Sequence, residues 1–257
     1  MPRQRLYQRV YQVKNLVKNV LTGRKVTDDF DWDLYTQHYK GELKQVEEIE
    51  STIINPGDYQ FENGTLRKMT NTKPLHLNHH LLYETILQLQ PNSVLEVGCG
   101  GGDHLHNLQV LSPDLTIFGE DLSNKQLDLL HQRHPDLRAK VQQHDITSPT
   151  LAPWPPVDLV FTQAVVMHIK TGDNHRTALK NIFHIAQKYV LLMENWRDHD
   201  FVKDILDLSA RGELGWPKLY LSSRPYTGTD KPYLIVASRE PLPQYQPLTS
   251  DDQLRQI

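Results

Sequence analysis

The sequence has little of what stabilises a secreted protein or holds a protein in a membrane. Its 257 residues include a single cysteine, Cys99, so no intramolecular disulfide can form, and a reducing compartment is expected. No apolar run reaches the roughly 18 residues of a membrane span, and the N-terminus lacks the apolar core of a signal peptide. We therefore expect a cytoplasmic protein.

A large excess of charge of one sign is also absent. The formal net charge is −3, which gives no global attraction to nucleic acid, and no nucleic-acid partner is expected. The charge is nevertheless uneven, because residues 1–25 carry seven basic side chains and no acidic one, whereas residues 26–50 carry eight acidic ones.

The basic segment 1–25 has a helical pattern. Its apolar residues recur at three- and four-residue steps, which predicts an amphipathic helix. Such a helix either packs on its own protein or makes peripheral contact with a membrane surface or a partner, and the sequence leaves these alternatives open.

The rest of the chain suits one sizeable α/β domain with an appendage, since 38% of the residues are hydrophobic and 23% are charged. We expect residues 1–74 to form an N-terminal helical extension that includes a short helix from Asp31 to Glu50. Residues 75–239 would form the main domain. Residues 240–257, with several prolines and no periodicity, are expected to be a tail.

The main domain is organised around residues 93–103, SVLEVGCGGGD. A short apolar run predicts a buried parallel strand, the glycines predict a turn, and the residues that follow predict a helix. Glycines there let a ligand approach main-chain N–H groups at a helix N-terminus. The dinucleotide fingerprint G-x-G-x-x-G fails at its last position, which is Asp103, and this disfavours NAD.

Acidic residues follow two further predicted strands. Asp121 ends the second strand, in GEDLS, where a carboxylate can accept hydrogen bonds from ribose hydroxyls. Asp145 follows the third strand, in HDIT, and residues 157–161 predict a fourth strand.

These motifs occur in the order found in the class I S-adenosylmethionine-dependent methyltransferases, which the chain resembles over roughly residues 75–238. The resemblance implies a doubly wound α/β fold with a seven-stranded, mostly parallel sheet and an antiparallel last strand. It implies S-adenosyl-L-methionine as cofactor, with the ribose on Asp121 and the adenine on Asp145 and Ile146. The residues it assigns to cofactor binding are Glu96, Gly98, Cys99, Gly100, Gly102, Asp121, Leu122, Asp145, Ile146 and Gln163.

The resemblance also places the reaction at the ends of the fourth and fifth strands. Methyl transfer depends mainly on alignment, and a general base is added when the acceptor is a hydroxyl or a protonated amine. His168 is the first candidate for that base, with Glu194 and His199 after it, because imidazole suits proton uptake near neutral pH. Gln163 stands where metal-assisted relatives have an Asp, so no catalytic metal is expected.

Three histidines, His76, His79 and His80, suggest a metal site at first sight. No HExxH glutamate lies between them and no cysteine is near, which favours a surface or packing role.

We therefore predict transfer of a methyl group to oxygen or nitrogen of a small-molecule or glycan-type acceptor. A looser likeness, carried by QAVVMHI, LLMENW and KPYLIVASR, is to methyltransferases of bacterial polysaccharide biosynthesis. The alternatives are a non-catalytic module that binds the same cofactor and, less favoured, an NAD-dependent oxidoreductase. The identity of the acceptor and the oligomeric state have no signal in the sequence.

Overall fold

A computed structural model of the chain describes residues 32–33, 50–195, 199–226 and 232–249. The strands are β1 (Tyr59–Glu62), β2 (Thr65–Lys68), β3 (Ser93–Val97), β4 (Thr116–Asp121), β5 (Lys140–Gln143), β6 (Val157–Gln163), β7 (Ala186–Met193), β8 (Tyr220–Pro225), β9 (Pro232–Ser238) and β10 (Gln246–Pro247). The helices are α1 (Leu77–Leu89), α2 (Asp103–Leu111), α3 (Asn124–Arg133), α4 (Asn174–Ile185) and α5 (Phe201–Ala210).

The main sheet has the order β10-β8-β9-β7-β6-β3-β4-β5. Strands β3 to β7 are parallel, and β9 runs antiparallel to both β7 and β8. The predicted class I methyltransferase fold is thus confirmed, with the two-residue β10 added at one edge. The order of the strands reverses on the two sides of β3, which makes the carboxyl ends of β3 and β6 the switch point where open α/β sheets bind ligands.

The sheet is buried on both faces, which explains why its central strands are apolar runs without polar alternation. In β3, Leu95 and Val97 point into one layer of the core, whereas Val94 points into the other. Glu96 shares the face of Val94, and so lies beneath α1 and α2.

The region 1–74, expected to be a helical extension, also contains strands, because β1 and β2 form a hairpin. Glu62 pairs with Thr65 across a two-residue turn. Asn63 and Gly64 both have positive φ, at 51° and 77°, as the mirror-image turn that suits a hairpin requires. The predicted helix 1–25 lies outside the described residues. Of the predicted helix from Asp31 to Glu50, the described residues are 32–33, which are helical, and Glu50, which is not.

Two further segments pack against the main sheet: the start of α1 and the residues that follow β9. Helix α1 begins at Leu77, with the His76 side chain accepting a hydrogen bond from the Asn78 N–H. Part of the expected tail packs on the sheet, because Tyr245 and Leu248 are buried on either side of β10. Among the described residues, no helix has the length and apolarity needed to cross a membrane.

Candidate active site

The glycine loop between β3 and α2 passes within contact distance of the loop after β6. Gly98 has φ +76°, and a Cβ at this position would lie 2.3 Å from Cγ2 of Val165. The N–H groups of Gly98 and Cys99 both donate to the Glu120 carbonyl, at 2.7 and 3.0 Å, so the loop is tied to the end of β4. Only glycine fits at residue 98.

Asp121 and Gly100 form the next part of the site. The Gly100 N–H donates to Oδ2 of Asp121 at 2.9 Å, and the Ser123 N–H donates to Oδ1 at 2.8 Å. Burial raises the pKa of Asp121, and these two hydrogen bonds oppose the rise. Leu122, the next residue, is 53% exposed. The carboxylate is therefore fixed in place at the mouth of the glycine loop, as a ribose-binding residue must be.

The other positions assigned by the resemblance lie around this loop. Cys99 is buried and its thiol pKa is raised by burial, so its sulfur is not a reactive thiolate, and its contact with the cofactor stays a prediction. Asp145 is exposed beyond β5, where its Oδ1 accepts hydrogen bonds from Thr147, and Ile146 beside it is buried. Their contacts with adenine stay a prediction.

Glu194 anchors the loop that follows β6. It is 2% exposed, and its carboxylate accepts hydrogen bonds from the Thr162 hydroxyl at 2.6 Å and from the Val165 and Met167 N–H groups at 3.0 Å. Burial raises its pKa, and the hydrogen bonds oppose the rise. This geometry favours a role in shaping the loop over the predicted role as a base, which stays a prediction.

His168 lies in that loop, at the end of the 3₁₀ turn Val166–His168. The ring of Trp32 contacts it edge-on, with centroids 5.2 Å apart. His199, the third candidate, donates from Nε2 to the Ile169 carbonyl at 2.9 Å and stacks on His175, with ring centroids 4.0 Å apart. His168 is therefore the candidate base nearest to the turn that Glu194 supports.

His104 was not predicted from the sequence. It lies in the first turn of α2 and contacts Tyr83 of α1 and Glu96 of β3. Its Nδ1 is 2.7 Å from the Tyr83 hydroxyl, and its Nε2 is 4.0 Å from Oε1 of Glu96. The His79 ring lies 4.4 Å from it, centroid to centroid. The sequence signal was a histidine directly after the glycine loop, which acquires meaning only when α1 is placed against α2.

Glu96 is itself unusual, because it is 2% exposed and its Oε2 has no hydrogen-bond partner among the described residues. Burial raises its pKa well above the ordinary range, and the charges of Asp121 and Asp103 add to the rise. Gln163, at the end of β6, likewise has a buried Oε1 without a partner in the described part of the chain. The predicted roles of Glu96 and Gln163 in cofactor binding stay predictions.

A second group of polar and aromatic residues stands where β9 begins, next to β7. The Tyr233 and Tyr226 rings are 5.0 Å apart. Asn78, at the start of α1, hydrogen-bonds to Tyr233, whose pKa is raised mainly by burial. The amide oxygen of Asn78 is buried and has no partner among the described residues.

The histidines of α1 make packing contacts. His80 Nε2 is 2.8 Å from the Leu66 carbonyl, and His79 hydrogen-bonds to the Thr52 carbonyl. Within the described ranges, no three His, Cys, Asp or Glu side chains form a group that could hold a metal ion.

Comparison with known proteins agrees with this geometry. A family model described as a methyltransferase domain matches residues 94–188, from the organising strand β3 into β7. A search of curated proteins gives no significant match.

Solved structures with the same fold include two methyltransferases. A TehB-like SAM-dependent methyltransferase from Corynebacterium glutamicum is 15% identical, with 84% of this chain and all (100%) of that chain covered, at a TM-score of 0.53. The sugar N-methyltransferase KedS8 from Streptoalloteichus is 13% identical, with 64% of this chain and 87% of that chain covered, at a TM-score of 0.50. DesVI from Streptomyces venezuelae is 24% identical over 41% of this chain, and the match spans 44% of DesVI with a TM-score of 0.36.

Proposed function

The chain carries a class I S-adenosylmethionine-dependent methyltransferase domain, and we propose that it transfers the methyl group to oxygen or nitrogen of a small polar or glycan-type acceptor. S-adenosylmethionine supplies an electrophilic methyl on a sulfonium, which is a good leaving group, so the protein's task is alignment and proton removal.

The residues that would hold this cofactor are those of the β3–β4 half of the sheet edge. The Gly100 N–H donates to Oδ2 of Asp121 at 2.9 Å, which holds that carboxylate against the glycine loop. A Cβ at residue 100 would meet nothing closer than Oε1 of Gln126 at 3.6 Å, so the backbone there is open to close approach. Asp121 would bind the ribose hydroxyls, and Asp145 and Ile146 would bind the adenine.

The observation that carries the acceptor proposal is the composition of the β7–β9 side of the edge. Tyr226 and Tyr233 offer aromatic rings, and the buried Asn78 oxygen, which has no partner among the described residues, could accept a hydrogen bond from an acceptor molecule. Aromatic rings with an amide acceptor suit a ring that carries hydroxyl or amino groups. The similarity in fold to KedS8, a sugar N-methyltransferase, supports this class of acceptor.

His168 would take the proton from the acceptor. Glu194 holds the backbone of the turn at Val165 and Met167, and His168 is the last residue of that turn. A neutral imidazole in a fixed turn can accept a proton from a hydroxyl or an ammonium as the methyl group is transferred.

The N-terminal extension would cover the site. Trp32 contacts His168, and the neighbouring Asp33 accepts a hydrogen bond from the Ser123 hydroxyl at 2.6 Å, so two adjacent residues reach both halves of the sheet edge. Covering the site would exclude water from the transferring methyl.

A transfer assay with isotopically labelled S-adenosylmethionine tests the proposal. Amino and neutral sugars, nucleotide-linked sugars, lipids and peptides are offered in turn, and label is expected in a sugar or another small polar acceptor. Label found in peptide or lipid alone would contradict the acceptor class. Displacement of the cofactor by NAD at similar affinity would contradict the cofactor assignment.

A further inference from the structure

The loop between β5 and β6, residues 144–156, carries the proposed adenine-binding residues Asp145 and Ile146 near its start. Its last four residues are Pro-Trp-Pro-Pro, and β6 follows directly. Each proline has a fixed φ, and Trp154 is itself restricted because a proline follows it. The end of the loop is therefore stiff, so a contact that fixes Trp154 also limits where the start of the loop can lie.

Glu120, the residue before Asp121 in β4, makes that contact. The Trp154 indole N–H donates to Oε2 of Glu120 at 2.7 Å. The indole also packs against the Phe118 ring, with centroids 5.3 Å apart, and Phe118 and Glu120 share one face of β4. The main-chain carbonyl of Glu120 meanwhile accepts from the first two N–H groups of the glycine loop. One residue of β4 thus holds the glycine loop through its main chain and the loop after β5 through its side chain.

The start of the same loop is held by Asn181, which lies in α4. Its Nδ2 group donates to the Ile146 carbonyl at 2.6 Å and to the Ser148 carbonyl at 2.8 Å. The Asp145 side chain is fixed locally, because its Oδ1 accepts from the N–H and the hydroxyl of Thr147. The loop is therefore attached at both ends, by the Asn181 amide at its start and by the indole hydrogen bond at its end.

The two oxygens of the Glu120 carboxyl group have different surroundings. The residue is 1% exposed, and Oε1 is buried without a partner among the described residues, whereas Oε2 accepts from the indole. Burial raises the pKa of Glu120 to about 7; the indole hydrogen bond opposes the rise, and the charges of Asp121 and Asp145 add to it. A proton taken up at neutral pH can reside on Oε1, which leaves Oε2 as the acceptor for Trp154. The indole bond is thus compatible with both charge states of the carboxyl group.

We propose that Glu120 is a positioning residue for the adenine of the cofactor and acts through its hydrogen bond with Trp154. The bond holds the loop after β5 so that the Asp145 carboxylate can accept from the adenine amino group and the Ile146 N–H can donate to the ring. The inference rests on the adenine assignment of the proposed function and is independent of the acceptor class. Two adjacent acids of β4 then have separate tasks, because Asp121 would bind the ribose directly and Glu120 would orient the residues that bind the base.

Calorimetry with S-adenosylhomocysteine and S-inosylhomocysteine tests the inference without turnover. The inosine ligand has an oxygen in place of the amino group and a proton on N1, so it reverses both contacts with the base. The wild-type protein should prefer S-adenosylhomocysteine by roughly tenfold or more, the range for a hydrogen bond to a charged group. Glu120→Leu removes the acceptor and Trp154→Phe removes the donor, and either should reduce the preference to within about threefold. The double variant should lose no more than either single variant, because both remove the same bond. Glu120→Gln keeps an oxygen acceptor and should retain the preference.

Trp216→Phe is the matched control, because the Trp216 indole N–H also donates to a buried carbonyl, that of Phe183 at 2.9 Å. This variant should lower stability and leave the preference between the two ligands unchanged. Should Glu120→Leu fail to fold, the comparison of Trp154→Phe with Trp216→Phe carries the test.

Equal weakening of both ligands by Glu120→Leu and Trp154→Phe, or no weakening of either ligand, would overturn the positioning role. If Asp145→Ala then still abolishes the preference, the adenine assignment stands without it. A wild-type protein with no preference would contradict the adenine assignment, and this inference would fall with it. If the preference depends on the indole bond but no sugar or other small polar acceptor is methylated, only the proposed acceptor class fails.

Discussion

The two halves of the sheet edge use their buried carboxylates differently. On the β3–β4 side, Glu96 keeps an oxygen without a partner in the described chain, and Asp121 stands next to an open glycine loop. On the β6–β7 side, Glu194 receives hydrogen bonds on both oxygens from the loop it supports. A carboxylate with unused acceptor capacity is suited to a ligand, and one whose capacity is filled by the chain is suited to holding a loop.

The comparison predicts that the two halves control different quantities. Variants of the β3–β4 half should change cofactor affinity, and variants of the β6–β7 half should change turnover or stability.

The largest effect is expected at His168. His168→Ala should lower turnover by about 10²–10⁴-fold, the usual contribution of a general base, and leave the affinity for S-adenosylhomocysteine within about twofold. For an acceptor that ionises unaided, the loss should shrink as pH rises. Steady-state kinetics and calorimetry on the same preparations measure both quantities.

His131, exposed near the end of α3, provides the matched control. His131→Ala should change neither quantity. If His168→Ala reduces affinity and turnover to the same extent, His168 shapes the loop and is not the base.

Replacement of Asp121 should reduce cofactor affinity first. Asp121→Ala should weaken S-adenosylhomocysteine and 5′-methylthioadenosine alike, by roughly 10–100-fold, because both carry the ribose that this carboxylate would bind through charge-assisted hydrogen bonds. Asp114→Ala, at an exposed position on the opposite edge of the sheet, is the control. A loss confined to turnover would break the division between the two halves.

Replacement of Glu194 should mainly reduce the stability of the fold. In Glu194→Gln, an amide N–H₂ replaces one of the oxygens that accept from the Thr162, Val165 and Met167 donors, so the free energy of unfolding should fall by about 1.5–3 kcal/mol. Denaturant unfolding measures it. Glu213→Gln, which removes the partner of the surface pairs with Lys180 and Arg211, should cost less than about 1 kcal/mol. A fully stable Glu194→Gln protein with no activity would restore Glu194 as a candidate base.

The residues that could be predicted from the sequence are those whose role depends only on their neighbours in the chain. Gly98 and Gly102 have positive φ in a turn directly after a strand, and Asp121 ends the next strand. Strand, turn and acid are neighbours in the chain, so a short pattern is enough to identify them. The short, continuous apolar runs also predicted the sheet, because the strands of a parallel sheet that is covered on both faces are apolar on both sides.

The residues that could not be predicted depend on contacts between distant segments. His104 is held by Tyr83, which Asn107 contacts, and the orientation of Asn107 depends in turn on Ile54. The hairpin β1–β2 was missed although Asn63-Gly64 is a turn signal, because its strands are short and largely polar. Their pairing is supported by α1, where Glu84 accepts a hydrogen bond from the Leu66 N–H.

The pH dependence of binding should show whether Glu96 meets the ammonium group at the amino-acid end of the cofactor. In the free protein the pKa of Glu96 is raised by burial, with Asp121 and Asp103 adding to it and neutral His104 and Tyr83 facing it. An ammonium favours the ionised carboxylate and lowers this pKa, so binding releases a proton below the free-state pKa. Affinity for S-adenosylhomocysteine should therefore rise with pH, by at most about tenfold per unit, until that pKa is passed.

5′-Methylthioadenosine, which has no ammonium, should lack this rise although it shares any effect of Asp121. In Glu96→Gln the rise should vanish for S-adenosylhomocysteine as well. An identical pH profile for both ligands on the wild-type protein would place the titrating group in the adenosine part of the site.

The smallest effects concern the N-terminal extension, whose residues Trp32 and Asp33 contact the two halves through His168 and Ser123. Asp33 is half-exposed and paired with Lys125 at 3.3 Å, so Asp33→Ala should weaken cofactor binding by only a few-fold, as expected for a surface pair. Trp32→Ala should instead lower turnover by a few-fold, because its ring contacts His168.

Deletion of residues 1–25 tests what the basic segment adds. If the segment helps to close the site, the truncated enzyme should lose activity towards a soluble acceptor and release the cofactor faster. If it keeps full activity but no longer sediments with anionic vesicles, the basic helix is a membrane contact, since each Lys or Arg near anionic lipid contributes about 1 kcal/mol. That result would confine the covering role to the residues around Trp32, and it would favour a lipid-linked glycan as the acceptor.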